Sequence, residues 1–212
     1  MLCLASFDGV VAMRSFAVKS VLAGVAGCWL AVPAAAGTKV VSRVETYTVT
    51  GTTGRALVQA MDRSGPRHGF MARAIAQTSY KVDWQLDVKP DGNGCRVLGA
   101  TGTLNVTYIF PRAASPLAPA LAGRWKRFLA GVRKHEQNHG RIARDMVAAA
   151  GKAVRGVAVP EDRSCWKTRA EAKRRIAAVS ALYEKRQVAF DMREHRDGGP
   201  VERLVAALVR ER

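Results

Sequence analysis

Two histidines and a glutamate occur in the order His135-Glu136-Gln137-Asn138-His139, a spacing typical of zinc sites on helices. Residues four apart lie on the same face of an α-helix, so both imidazoles point towards one spot. A glutamate next to the first ligand is placed to take a proton from water that zinc has activated. We therefore predict a zinc site with His135 and His139 as ligands and Glu136 as general base.

An amphipathic helix is expected to position this motif. Apolar residues recur at steps of three and four, as in a buried helical stripe, and both histidines belong to the series Leu121, Trp125, Phe128, Val132, His135, His139, Ile142 and Met146. We predict that Ser115 caps the helix, that Pro116 is its first residue, and that it continues to about Val154. The imidazoles should then be buried.

A catalytic zinc ion usually has a third protein ligand, and the sequence offers several candidates. His195 is the first choice, because it follows a long helical stretch and precedes a Gly-Gly-Pro loop signal. Asp145 lies six residues after His139, but an unbroken helix would turn its side chain away from the site. Glu171 and Glu184, on the later helix, remain alternatives, whereas His68 is expected in an exposed loop.

The first 36 residues have the composition of a secretory signal. After Met13 come two basic residues, an apolar stretch over 21–32, and small residues that end at Ala36. We predict cleavage after Ala36, a domain over 37–212, and a translation start at either Met1 or Met13. An alternative is lipid attachment at Cys28, which follows a lipobox-like Val-Ala-Gly.

Cysteine usage also favours export. Removal of residues 1–36 leaves Cys95 and Cys165, and an even pair in an exported chain predicts one disulfide. Because it would close a long loop, the bond is expected to stabilise the fold by about 4 kcal/mol.

The pattern along residues 37–212 predicts an α+β fold. Residues 39–50 indicate a strand, and Thr52 or Thr53 caps a short helix that ends near Arg63. Apolar and polar residues alternate over 80–88 and again over 104–110, on either side of a Gly-rich turn, which predicts an antiparallel hairpin. Helices are expected over about 163–193 and 201–211, packed with the strands as one unit.

The formal net charge is +17, and residues 37–212 alone carry +16. Basic residues are spread over the predicted helices, without interleaved aromatic residues and without a recognised DNA-binding motif. We therefore expect solvated helix faces that favour anionic envelope surfaces, and no nucleic-acid partner.

Several short motifs follow one another along roughly residues 40–197: Tyr47-Thr48-Val49-Thr50-Gly51-Thr52-Thr53, Gly65-Pro66, Tyr80-Lys81-Val82-Asp83-Trp84, Cys95-Arg96-Val97, Trp125-Lys126-Arg127-Phe128-Leu129, His135-Glu136-Gln137-Asn138-His139, Ser164-Cys165 and Phe190-Asp191. In this order they resemble a bacterial family of unknown function whose members are predicted to be secreted zinc-dependent proteases. The resemblance implies a zincin-like fold and hydrolysis of peptide bonds.

Together these features predict an exported zinc-dependent peptidase that acts on proteins or peptides, and has no transmembrane span in its mature form. The hairpin at 79–88 and 95–110 would align the substrate by backbone pairing. Candidates for stabilising the oxyanion are Tyr183, Arg193 and Arg196, which lie near His195 in the sequence. The alternatives are a non-catalytic envelope protein with a structural zinc site, and a basic protein that binds surfaces or nucleic acid.

Overall fold

The computed structural model describes residues 37–68 and 72–210 of the chain. Within these residues a β-sheet packs against helices, which confirms the α+β prediction. The elements are β1 (Thr38–Val49), α1 (Gly54–Ser64), β2 (Arg67–His68), β3 (Ala72–Arg73), β4 (Gln77–Asp91), β5 (Gly94–Ala113), α2 (Pro119–Val154), β6 (Ala158–Val159), α3 (Trp166–Glu194) and α4 (Pro200–Val209).

The predicted signal over 1–36, with the possible start at Met13, the lipid site at Cys28 and cleavage after Ala36, lies outside the described residues. It therefore stays a prediction, as does the domain boundary at residue 37. Among the described helices, none combines the length and the apolar character that a membrane span requires.

The central sheet has the order β1-β5-β4, and β6 pairs with the start of β5. The hairpin of β4 and β5 is the predicted one, and its turn consists of Gly92 and Asn93. Gly92 has a φ of 60°, a backbone conformation that glycine adopts without a steric penalty. β1 lies parallel to β5 and forms one edge of the sheet.

The helix α2 begins at Pro119, and the prediction that Ser115 caps it and Pro116 starts it is wrong. Proline disfavours the helical conformation in the residue before it. Ala118 accordingly has a ψ of 146°, so no helix can run from Pro116 into Pro119. The predicted stripe is nevertheless buried from Leu121 to Met146, apart from Ile142, which is half-buried.

Two apolar clusters pack on α2, one on each side of the histidine pair. The first joins Trp125, Phe128 and Val132 of α2 to residues of α1 and β5. The second joins Met146 and Val147 to the inward face of the hairpin. Because close-packed apolar groups flank them in both directions, the two histidines occupy a polar gap in an otherwise continuous core.

The helix α3 packs along α2, and a disulfide joins Cys95 of β5 to Cys165 at its N-terminal end. The predicted disulfide is thus confirmed. A short loop over 195–199 then leads into α4, which also packs against α2. The contacts of α2 with α3 and α4 hold the C-terminal end of α3 beside the histidine pair, and the disulfide anchors the opposite end of α3.

Candidate metal centre

The structure brings His135 and His139 together on the buried face of α2. The two residues are 5% and 1% exposed, and their Nε2 atoms are 3.2 Å apart. Two neutral imidazoles at this separation direct two lone pairs at one point, provided that neither Nε2 carries a proton. The predicted convergence of the pair is therefore present.

Asp191 of α3 supplies a third donor atom to this point. Its Oδ1 lies 2.9 Å from Nε2 of His139 and 3.4 Å from Nε2 of His135, and the residue is 1% exposed. Ligand atoms of the three residues all lie within 4.8 Å of one another, so the group could hold a metal ion. Two imidazole nitrogens and one carboxylate oxygen form a donor set that suits zinc.

The charges in this group depend on one another. Burial raises the pKa of the Asp191 carboxyl, but hydrogen bonds with His135 and His139 outweigh burial and lower this pKa to about 2. Burial by itself lowers the pKa of His139, but the Asp191 carboxylate, together with Glu136 and Gln187, outweighs that effect and raises the pKa. The aspartate therefore remains ionised, as a metal ligand must be.

Asp191 was not among the ligands predicted from the sequence. A signal was present, because Gln187 and Asp191 continue the helical series that Ala172 and Ile176 begin in the core. Polar residues that extend a buried stripe are costly unless they have partners, so they indicate a site.

The other candidates for the third ligand lie elsewhere. Asp145 and Glu184 are exposed on the outer faces of their helices. Glu171 forms salt bridges with Arg174 and Arg175, both at 2.8 Å, and these hydrogen bonds lower its pKa to about 2. None of the three belongs to the group of buried donors among the described residues.

His195 lies beside this group without belonging to it. It ends α3, and its ring centroid is 5.2 Å from that of His135. Its Nε2 is buried and has no hydrogen-bond partner among the described residues. Burial, and then the neighbouring His135, lowers the pKa of His195 to about 4. Its role as a ligand stays a prediction.

Gln187 fixes the orientation of His139. Its Nε2 donates to the backbone carbonyl of His139 at 3.1 Å, and its Oε1 lies 2.6 Å from Nδ1 of the ring. Because a carbonyl only accepts, the amide oxygen must face Nδ1, which must then be the protonated nitrogen. When Nε2 loses the proton that it shares with Asp191, it has a lone pair directed at the group.

Tyr80 of β4 extends this network, since its hydroxyl shares a hydrogen bond with Gln187. Burial raises the pKa of Tyr80 to about 12, so the hydroxyl stays protonated in neutral solution. The sheet thereby helps to hold the amide that orients His139.

Glu136 is also buried, at 1% exposure, on the side of α2 that faces the sheet. The Thr78 hydroxyl of β4 donates to its Oε2 at 2.6 Å and lies 3.1 Å from its backbone carbonyl. A carboxylate held by a hydroxyl has a fixed direction, which a positioned proton acceptor needs.

The oxyanion candidates have different surroundings. Tyr183 packs on the core cluster beneath the Arg186 guanidinium, 4.2 Å from the ring centroid. Arg193 lies over the Phe190 ring at 5.4 Å, and that ring in turn contacts both His135 and His139. Arg196 is exposed.

His68 lies in the short strand β2 instead of the predicted loop.

Beside the metal centre lies a cavity of about 520 Å³. It is bounded by α2, the end of α3 and the start of α4, and both His135 and Glu194 line it. Oε2 of Glu194 is 3.9 Å from Nδ1 of His135. The cavity therefore reaches His135 from the α4 side.

Residues 44–199 match the model of a family described as "Bacterial protein of unknown function (DUF922)". The match spans most of the chain and includes the three donors, so the chain belongs to this family. That description names no activity. Searches of curated proteins and of solved structures returned no match.

Proposed function

We propose that this protein is an exported zinc-dependent peptidase with a zincin-like arrangement. The observation that carries the proposal is the convergence of His135, His139 and Asp191 in a buried gap of the core. Three protein ligands leave a coordination position free for substrate or water, as catalytic zinc sites require.

The geometry supports further roles for the residues around the donor group. Zinc, when bound, would supply a Lewis acid that polarises the scissile carbonyl and lowers the pKa of a water molecule. Glu136 would accept the proton from the attacking water and pass it to the leaving amine, with Thr78 holding its direction. Gln187 would keep Nε2 of His139 free for the metal.

The fold agrees with the zincin-like interpretation in two respects. The motif lies on one long helix that packs across a sheet, and β4 of that sheet reaches Glu136 through Thr78. β4 also forms an edge of the described sheet, where an extended peptide could add as a further strand.

The Cys95–Cys165 bond is of the kind that persists in oxidising compartments, which agrees with a secreted or periplasmic protein. The substrate is expected to be a protein or a peptide of the cell envelope. The basic residues are distributed over several helices, so we propose no nucleic-acid partner.

The test compares Glu136→Gln with wild type and with Gln137→Ala, a change at an exposed neighbour on the same helix. Because Glu136 is not among the three donors, the glutamine variant should retain zinc while peptide hydrolysis falls by about two to four orders of magnitude. Gln137→Ala should change neither property. Equal hydrolysis by wild type and Glu136→Gln would refute the mechanism, and loss of zinc would make Glu136 a ligand.

One observation favours a second candidate, a structural metal site without catalysis. The buried Nε2 of His195 has no hydrogen-bond partner among the residues that the structure describes, and its ring lies near His135. A fourth ligand would close the site. In that case His195→Ala should lower zinc affinity sharply, and wild type should hydrolyse no peptide. If three ligands suffice, His195→Ala should retain zinc, which elemental analysis after dialysis would measure.

A further inference from the structure

The cavity beside the metal centre differs in character from the centre itself. Phe190, Val201 and Leu204 form its apolar walls, and polar side chains lie mainly at its rim. At about 520 Å³ it falls within the ~300–1,000 Å³ range of pockets that enclose a ligand. It is thus large enough for a bulky side chain together with part of a peptide backbone.

Close packing of two helices shapes this cavity. Gly131 of α2 has no side chain, and a Cβ there would lie 2.5 Å from both terminal methyl carbons of Leu204. The glycine therefore lets α4 approach α2 closely enough for Leu204 to form a wall. His135 lies on the same face of α2, one turn further along, and lines the same cavity.

The charges at the rim are mostly positive. Lys134 and Arg203 are exposed at the edge of the cavity, and Arg203 donates a hydrogen bond to the carbonyl of Gly198. Glu194 is the acidic residue of the lining, and it lies beside the imidazole of His135. A lysine or arginine side chain of a substrate would be repelled by these two cations at the rim. It would also lose its hydration against the apolar walls.

We propose that this cavity binds a large apolar side chain adjacent to the scissile bond and rejects lysine and arginine side chains at that position. This inference rests on the proposed peptidase function and adds the substrate class. The continuity of the cavity with His135 supports it, because a side chain seated there would place its own backbone next to the metal centre.

The experiment measures binding of three hydroxamates to the zinc-loaded protein by calorimetry. The hydroxamates of N-acetyl-leucine, N-acetyl-alanine and N-acetyl-lysine share one zinc-chelating group and differ only in the side chain. The leucine compound should bind at least about tenfold more tightly than the alanine compound, since each added methylene in an apolar pocket contributes about tenfold or more. The lysine compound should bind most weakly.

Two variants connect this preference to the cavity. Val201→Asp places a charge in an apolar wall, at a position in the first turn of α4 where an acidic residue suits the helix. It should abolish the advantage of the leucine compound over the alanine compound. Val201→Trp should do the same by filling the space. Ala207→Asp, on an exposed part of the same helix, is the matched control and should leave the preference intact.

The outcomes separate the two proposals. Binding of no hydroxamate to wild type would overturn the metal centre and this inference together. Equal binding of all three compounds would overturn the inference and leave the metal centre in place. An unchanged leucine preference in both Val201 variants would likewise exclude this cavity as the binding site.

Discussion

Asp191 is the residue that completes the donor group, and its substitution is the most direct test of the metal centre. Asparagine has the same shape but is a poor zinc ligand, so Asp191→Asn should lower zinc affinity by more than about 100-fold, above the loss typical of residues behind the ligands. Asp145→Asn, at the exposed aspartate of α2, should have no effect. Competition with a chromophoric chelator measures both, and equal affinities would remove Asp191 from the site.

Gln187 permits a finer test of how the ligands are oriented. Gln187→Leu removes the acceptor for Nδ1–H of His139 and should lower zinc affinity by about 10- to 100-fold. Gln187→Glu keeps an acceptor at that position, although it too loses the bond to the His139 carbonyl. Zinc affinity should therefore survive in the glutamate variant. Similar losses in both variants would mean that Gln187 acts only through packing.

The sequence was sufficient to pair His135 with His139, because one helix fixes their spacing, whereas the role of Glu136 stays a prediction. Asp191 and Gln187 lie on another helix, about fifty residues further along the chain. Their approach to the histidines depends on how α3 packs against α2, which local pattern does not determine. His195 was predicted as a ligand because it precedes a loop signal. The structure places it close to the site, but it is not one of the three donors.

At the level of the elements, α2 can approach the sheet closely because Gly140 follows His139. A Cβ at this glycine would lie 1.9 Å from the Tyr108 hydroxyl oxygen of β5. Gly140→Ala should therefore destabilise the fold by about 1–3 kcal/mol through overpacking. Tyr108→Phe in the same chain should recover part of that loss, because it removes the contacting oxygen.

A glycine elsewhere on the same helix provides the control. At Gly123 the nearest atom to an added Cβ is 3.7 Å away, in the flexible side chain of Arg127. Gly123→Ala should then stabilise the fold by up to about 1 kcal/mol, the helix propensity difference between alanine and glycine. Urea denaturation measures the free energy of unfolding of wild type, Gly140→Ala, Gly140→Ala with Tyr108→Phe, and Gly123→Ala. Equal effects of alanine at both glycines would contradict the role assigned to Gly140.

Most elements followed from the sequence for reasons that are local. The alternation in β4 and β5 and the cap at Thr53 are short-range signals, and the structure contains each of them. The start of α2 was misplaced because two prolines competed for it, and only the second is followed by helix. The parallel pairing of β1 with β5 had no local signal, since it joins segments that are distant in the chain.

For the molecule as a whole, the candidate metal centre combines donors from two helices that pack on one sheet. A ligand that binds only the folded state stabilises it, by about 4 kcal/mol when free zinc is 1,000 times its dissociation constant. Thermal unfolding of wild type should therefore shift upwards with zinc and downwards with a chelator. His139→Ala should show neither shift, and an equal response of this variant would place the bound zinc elsewhere.

The edge strand β1 has a consequence for the order of folding. It pairs with β5 along its whole length, yet α1 and β4 separate the two in the chain, whereas the β4–β5 hairpin closes through two residues. Closing the longer loop costs more entropy, so we expect the hairpin to form first and β1 to dock later. Until then Val41 and Val44, which stay exposed even in the folded protein, form part of an unpaired strand that can join other chains. Pulsed hydrogen exchange during refolding should protect the amides of β4 before those of β1, and simultaneous protection would contradict this order.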